Sequence, residues 1–322
     1  MPTFELKYPT VSFEEMVKLN VYFSATNIQD VEEMGLITYD YKVTSCSMNS
    51  ADHVIPGYTW NASAGYYVAS SAGIAAKNLG DTLYFAVYAR LSDGSYAYSK
   101  VVSYSPKTYA YNQLKSGTTA MQQLVVSMLN YGAAAQIKFD YKTDELVNAD
   151  LTSAQKALVT AYSSSMITDV TQPTTYKMGT MTNSGGYTKR YPTVTFEGVF
   201  CINYYFTPTQ TPVGNISMYV WNQADYEAAS KLSKTNATKV LNMTKTGSEE
   251  YVATVDNIAA KELDDVVYVS FVYSDGTTEY CSGVLGYSIG QYCKAQASKT
   301  GTMADLAAAC AVYGYYAKQR FG

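Results

Sequence analysis

His53 is the only histidine in the 322 residues, which narrows the nucleophilic chemistry open to this chain. A Ser–His–Asp or Cys–His arrangement needs a positioned imidazole as its base. His53 lies in Asp52-His53-Val54-Ile55-Pro56-Gly57, a loop-like stretch where ordinary hydrogen bonding accounts for it without catalysis. The five cysteines, Cys46, Cys201, Cys281, Cys293 and Cys310, have no metal-binding spacing and read as small apolar side chains. No phosphate loop, dinucleotide fingerprint or HExxH pattern occurs. The expectation is a non-enzyme without metal or cofactor. A glycan hydrolase built on two carboxylates across a cleft is the catalytic alternative.

Binding suits the residues better. Sugars present apolar C–H faces edged by hydroxyls, and aromatic rings beside Asn or Asp match that surface. Tyrosine, which joins apolar area to a hydroxyl, dominates the aromatics: 33 Tyr against 10 Phe and 2 Trp. The candidate ligand-binding residues are Trp60 with Tyr58, His53 and Asn61, and Trp221 with Asn222 and Asp225. A core tryptophan is the structural alternative for each. It weighs more for Trp221, which ends an apolar strand pattern, than for Trp60, which turn residues flank.

These candidates sit in a duplicated chain. Tyr8-Pro9-Thr10-Val11-Ser12-Phe13-Glu14 returns as Tyr191-Pro192-Thr193-Val194-Thr195-Phe196-Glu197, 183 residues later. Ile74-Ala75-Ala76-Lys77 returns as Ile258-Ala259-Ala260-Lys261 at 184, and Tyr131-Gly132 as Tyr313-Gly314 at 182. Near-constant offsets mean one domain copied in tandem. The organisation expected is residues 1–140, a spacer at 141–187 with a short helix and a loop over Thr171–Gly186, and a second copy at 188–322. Both tryptophans fall in segments that differ between copies, 44–64 and 207–248. The shared acids Glu14/Glu197, Asp81/Asp265 and Asp93/Asp275 have structural explanations in loops and turns.

Period two places one copy's elements. Val17, Leu19, Val21 and Phe23 alternate with polar residues, as do Phe200, Ile202, Tyr204 and Phe206, so each set predicts a half-buried strand. Asp93-Gly94 and Asp275-Gly276 between β-rich runs predict hairpins. Met121, Leu124, Val125, Met128, Tyr131 and Ala135 then change to helical spacing, as do Met303, Leu306, Cys310, Tyr313 and Ala317. Shorter helices over Tyr109–Leu114 and Tyr292–Ala297 precede them, and Thr302 with Asp305 predicts a capping box. Gly132 and Gly314 inside the long helices predict a close approach to a neighbouring element. The fold class is mainly β (α+β): two tandem antiparallel immunoglobulin-like β-sandwich domains, each followed by C-terminal helices.

Composition excludes two partners. Net charge is -4 with 16% charged residues, which leaves no basic footprint for nucleic acid. No apolar run reaches the roughly 18–20 residues of a spanning helix, so no membrane insertion is expected. Met1-Pro2-Thr3-Phe4-Glu5 lacks the basic start and apolar core of a signal peptide. The chain begins almost on its first strand, so a module of a longer exported protein is expected.

At Val54-Ile55-Pro56-Gly57, Ala75-Ala76-Lys77-Asn78-Leu79-Gly80-Asp81-Thr82-Leu83-Tyr84, Met128-Leu129-Asn130-Tyr131-Gly132-Ala133-Ala134-Ala135-Gln136 and Gly286-Tyr287-Ser288-Ile289-Gly290, the chain resembles an uncharacterised tandem module. That module occurs in large secreted or cell-surface proteins of gram-positive anaerobic gut bacteria, often beside immunoglobulin-like repeats or dockerins. The resemblance implies an extracellular, wall-associated setting with other domains of a larger surface protein as neighbours. It supplies no site residues. A non-catalytic module that binds a polysaccharide or glycoconjugate, or serves adhesion, is the leading expectation. A structural spacer is the second.

Overall fold

The computed structural model describes residues 1–13, 16–173, 178, 182–183, 191–247 and 249–322. Glu14 and Glu15, and most of the expected loop over Thr171–Gly186, lie outside the described residues. The chain divides into two compact units, Met1–Thr160 and Ala161–Gly322.

In the first unit the strands are β1 (Thr3–Ser12), β2 (Lys18–Thr26), β3 (Val31–Tyr39), β4 (His53–Pro56), β5 (Thr59–Asn61), β6 (Tyr66–Ser70), β7 (Leu83–Leu91), β8 (Tyr96–Tyr98) and β9 (Val102–Tyr104). They pair antiparallel into two sheets, ordered β1-β2-β6-β5 and β4-β3-β7-β8, with β9 also on β7. Helices α1 (Pro106–Ser116), α2 (Thr119–Lys138) and α3 (Ser153–Lys156) follow. Ser105 starts α1 earlier than its apolar spacing indicates, because its Oγ accepts from the Thr108 N–H at 3.0 Å.

The second unit opens on β10 (Thr182–Asn183), whose backbone pairs parallel with a later strand. Strands β11 (Thr193–Thr195), β12 (Phe200–Phe206) and β13 (Ser217–Trp221) come next. After α4 (Gln223–Ala228) come β14 (Lys239–Asn242), β15 (Thr244–Lys245), β16 (Tyr251–Ile258), β17 (Val267–Ser274), β18 (Glu279–Cys281) and β19 (Leu285–Tyr287). Helices α5 (Ile289–Ala297) and α6 (Thr302–Phe321) close the unit. The sheets run β11-β12-β16-β15 and β10-β18-β17-β13-β14, repeating the first unit's order with β10 added. Helix α6 is capped at Gly301 without a side-chain bond, so the capping box expected of Thr302 and Asp305 does not form.

Alternation holds in the first sheet of each unit. Leu19, Val21 and Phe23 of β2 are buried while Lys18, Asn20 and Tyr22 are half-buried. The core forms where these side chains meet the inner face of the second sheet, as in the Phe206–Phe271 stack at 4.6 Å. The second sheets do not alternate: β7 is buried across five consecutive residues from Phe85 to Ala89. In the first unit Val43, Cys46, Met48 and Ala51 cover the outer cluster Ile37, Tyr39, Ala86 and Tyr88. In the second, Leu232, Tyr226, Ala229 and Ala237 cover Tyr219, Trp221, Tyr268 and Val272. Much of each copy-specific segment is spent on this cover.

The stretch expected as a spacer divides at Thr160. Tyr141 Oη and Lys142 Nζ each donate to Asp81 at 2.6 Å, and Asn78 Nδ2 donates at 2.7 Å. The Val147 N–H donates to Gln136 Oε1 at 2.8 Å. Farther on, Gln172 exchanges two hydrogen bonds with Gly286 in the second unit. The paired helical glycines answer a steric demand. A Cβ on Gly132 would lie 2.9 Å from Val147 Cγ1 and 3.0 Å from Leu79 Cδ1, and one on Gly314 would lie 2.8 Å from Leu263 Cδ1. The neighbour expected of these glycines is the short helical turn before β7 or β17.

Two outcomes follow from these contacts. Gly132→Ala and Gly314→Ala each destabilise by about 1–3 kcal/mol in urea titrations, because overpacking outweighs a helix-propensity gain of about 1 kcal/mol. Burial alone would raise the Asp81 carboxyl, but its Lys142, Tyr141 and Asn78 donors outweigh that and hold it below the ordinary value. A depressed carboxyl contributes stability above its unfolded pKa of about 3.9 and loses it as pH falls through the folded value. Asp81→Asn therefore lowers the thermal midpoint at pH 7, and the difference from the parent narrows in scans below about pH 4.

Candidate functional site

Trp60 and Tyr58 are 57% and 46% exposed, and both meet one half-buried ring. Antiparallel register puts Trp60 opposite Tyr67 and Tyr67 opposite Phe23. Residues directly opposite in a sheet share a face, so Phe23, Tyr67 and Trp60 form one row. The row begins in the core at fully buried Phe23 and ends at the indole on edge strand β5. Tyr67 tilts on Phe23 at 5.6 Å. Trp60 meets Tyr67 edge-on at 5.0 Å and Tyr58 does so at 5.4 Å. Edge contact anchors the two outer rings while leaving much of their area in solvent. Such pairs contribute about 0.5–1.5 kcal/mol each beyond burial, which limits the rotamer freedom a ligand would have to freeze.

Sequence reasoning missed Tyr67. The residue recurs as Tyr251, which pairs Phe206 as Tyr67 pairs Phe23. Shared positions read as structural, and Tyr67 is structural, yet it is also what holds Trp60. In the second unit the place opposite Tyr251 belongs to Lys245, whose Nζ lies 5.9 Å from the Tyr251 ring centre. The same edge thus carries an indole in one copy and an ammonium in the other.

The other expected residues do not join this group. Asn61 Oδ1 accepts from Ser63 Oγ at 2.7 Å and from the Ala64 N–H at 3.0 Å, closing the β5–β6 turn. His53 begins β4 and lines a cavity apart from the aromatic cluster. Trp221 is fully buried beneath its copy-specific segment, with Nε1 donating to Asn236 Oδ1 at 3.1 Å. Its indole offers no face to a ligand, which removes Trp221 from the candidate binding residues in favour of the core alternative that its apolar strand pattern favoured. Asn222 caps α4 by accepting from the Asp225 N–H at 2.8 Å. Asp225 in turn accepts from Thr238 Oγ1 at 2.5 Å, so these two residues organise a loop.

Each unit also has a cavity at the same place in the repeat, near the start of β7 or β17. The first, about 670 Å³, is lined by Thr38, Asp40, Asp81 and Tyr84 among others. The second, about 820 Å³, is lined by Val220, Asn222, Asp265 and Tyr268 at the matching positions. Six carboxylates and two lysines line the second. Neighbouring donors hold most of these carboxylates: Asp264 accepts from Thr168 Oγ1 at 2.8 Å, and Asp265 pairs Lys318 at 3.0 Å. Among the described residues no group of three or more His, Cys, Asp or Glu could hold a metal ion. Burial pushes the Cys46, Cys201 and Cys310 thiols up, which disfavours the nucleophilic thiolate. No helix among the described residues is long and apolar enough to cross a membrane.

No family model matches the chain, and no curated protein matches it. One solved structure, titled "Crystal structure of Br derivative BhCBM56", is similar over 32% of this chain and 98% of its own. Sequence identity is 19% and the TM-score 0.21.

The two tryptophans differ in a way fluorescence can read. Iodide should quench one emitting class in the parent protein, that of the 57% exposed Trp60, and spare buried Trp221. Trp60→Phe removes that class and leaves a blue-shifted, quench-resistant spectrum from Trp221.

Proposed function

We propose that this chain is a non-catalytic glycan-binding module of an exported, surface-held protein, and that its first unit carries the binding edge. The observation that supports this most is the exposed Trp60–Tyr58 pair, pinned edge-on to Tyr67. A large amphipathic ring held in one orientation offers a sugar's C–H face contact area at little entropic cost. Lys245 in the equivalent place makes the second unit a poor platform, so the copies differ in this respect. The strand order β1-β2-β6-β5 facing β4-β3-β7-β8 supports an immunoglobulin-like assignment for the sandwich, with strands switching sheets between β4 and β5. A spacer role is the second reading. It draws on the copy-specific segments, which largely cover the second sheets.

A glycan array followed by calorimetry on soluble polysaccharides separates the two. Trp60→Lys reproduces the residue that the second unit tolerates at this edge, so it should leave the fold intact. Binding weakens at least about tenfold, or about 1.4 kcal/mol, in this variant. Absence of binding to every polysaccharide, or affinity unchanged by Trp60→Lys, rejects the glycan reading and leaves the spacer.

A further inference from the structure

The second unit ends its second sheet on a strand that has no counterpart among the described residues of the first. Thr182 and Asn183 of β10 pair parallel with Tyr280 and Cys281 of β18. The segment ahead of β10 engages the same side of that sheet. Gln172 Nε2 donates to the Gly286 carbonyl at 2.7 Å, and its Oε1 accepts from the Gly286 N–H at 3.1 Å. Met178 is 2% exposed in the buried cluster of Tyr268, Trp221 and Cys281, against which Val284 packs. A carboxamide, a thioether and a short strand thus fill one edge of the second unit.

The first unit presents the same edge without them. Tyr84 pairs Ser103 as Tyr268 pairs Gly286, and Tyr88 pairs Tyr98 as Val272 pairs Cys281. Ser103 therefore turns its backbone N–H and carbonyl away from β7, as Gly286 turns its own toward Gln172. Among the described residues no strand lies beyond β8, and Tyr96 at its start is 38% exposed. An open cavity of about 460 Å³ lies at the matching place, lined by Tyr84, Tyr98, Val101 and Ser103 with Val43 and Cys46. The first three correspond to Tyr268, Cys281 and Val284, the surroundings of Met178. An edge strand carries a row of unpaired N–H and C=O groups, and an extended peptide with a side chain in an adjoining pocket satisfies both.

The repeat also indicates where such a peptide comes from. At the offset of 183 that relates Tyr8 to Tyr191, Asn183 falls level with the position just ahead of Met1. Strand β1 runs close to β8, so chain leading into β1 arrives on the side where this edge lies.

We propose that the β8 edge and the cavity beside it form an acceptor for an extended peptide segment bearing a carboxamide and an unbranched apolar side chain, supplied in cis by the part of the parent protein that leads into Met1. It draws on the chain being a module of a longer protein and is independent of the Trp60 edge.

The test is a synthetic peptide of residues 171–183, titrated into the full chain and followed by amide chemical shifts. It should perturb the amides of residues 96–98 and 101–103. A Met178→Asp peptide should bind at least about tenfold more weakly, and a change in the peptide cannot unfold the acceptor. Placing residues 171–183 directly ahead of Met1 makes the same contact intramolecular. That variant should melt a few degrees higher than the parent, and Met178→Asp in the added copy should remove the gain. A gain from the fusion without a detectable titration supports the proposal, because linkage supplies the concentration. No shift and no gain together overturn it. So do shifts that the Met178→Asp peptide reproduces, or shifts confined to residues 279–286, which mean exchange with the resident segment. Peptide binding without a gain from the fusion overturns the supply in cis. None of these outcomes bears on glycan binding at Trp60.

Discussion

The outer face of each second sheet is apolar, and most of this molecule's individuality follows from the need to cover it. Ile37, Tyr39, Ala86 and Tyr88 form that face in one unit, and Tyr219, Trp221, Tyr268 and Val272 form it in the other. Left bare, such a face would give up roughly 25 cal/mol for every Å² of apolar area. Each copy covers it with its own connection between β3 and β4 or between β13 and β14. The cover in the first unit includes Met48, whose N–H donates to Tyr98 Oη, and Ser47, whose carbonyl accepts from Tyr39 Oη. The cover in the second is α4 and the turn holding Leu232 and Asn236. Two unrelated sequences meet one requirement.

That requirement settles the fates of the two tryptophans. Trp221 points to the covered face, and its indole N–H finds Asn236 in the covering turn. Trp60 lies on the other sheet, in the row of Phe23 and Tyr67, which has neighbours only until the sheet ends. An edge strand has no further strand beyond it, so the last side chain of an inward-facing row spills into water. The exposure of Trp60 is thus a consequence of register and edge position. Its orientation is a consequence of Tyr67.

The two cavities follow the same division between shared frame and local variation. Asp81 and Asp265 hold equivalent places, but their lysines come from different elements: Lys142 from the segment after α2, and Lys318 from within α6. One anchoring demand is met twice by different parts of the chain. Beside these anchors the walls are free to differ, Thr38 against Val220 and Asp40 against Asn222.

Duplication, strand periodicity, the Asp-Gly turns and the helical pairs were all readable from residue order. Each reflects a local preference or a repeat that no long-range contact can disguise. The paired glycines Gly132 and Gly314 even mark a close approach in the sequence, though not the element approached. Residue order could not tell which copy-specific residues were cover and which were exposed. Trp60 and Trp221 are each followed by Asn, and only their flanks, turn residues for one and an apolar strand for the other, lean them apart; that one is the end of an edge row and the other is roofed belongs to the packed sheets. Nor could it show that Tyr67 serves both core and surface. Burial and hydrogen-bond satisfaction depend on segments distant in the chain, and only the packed structure brings those segments to the residue in question.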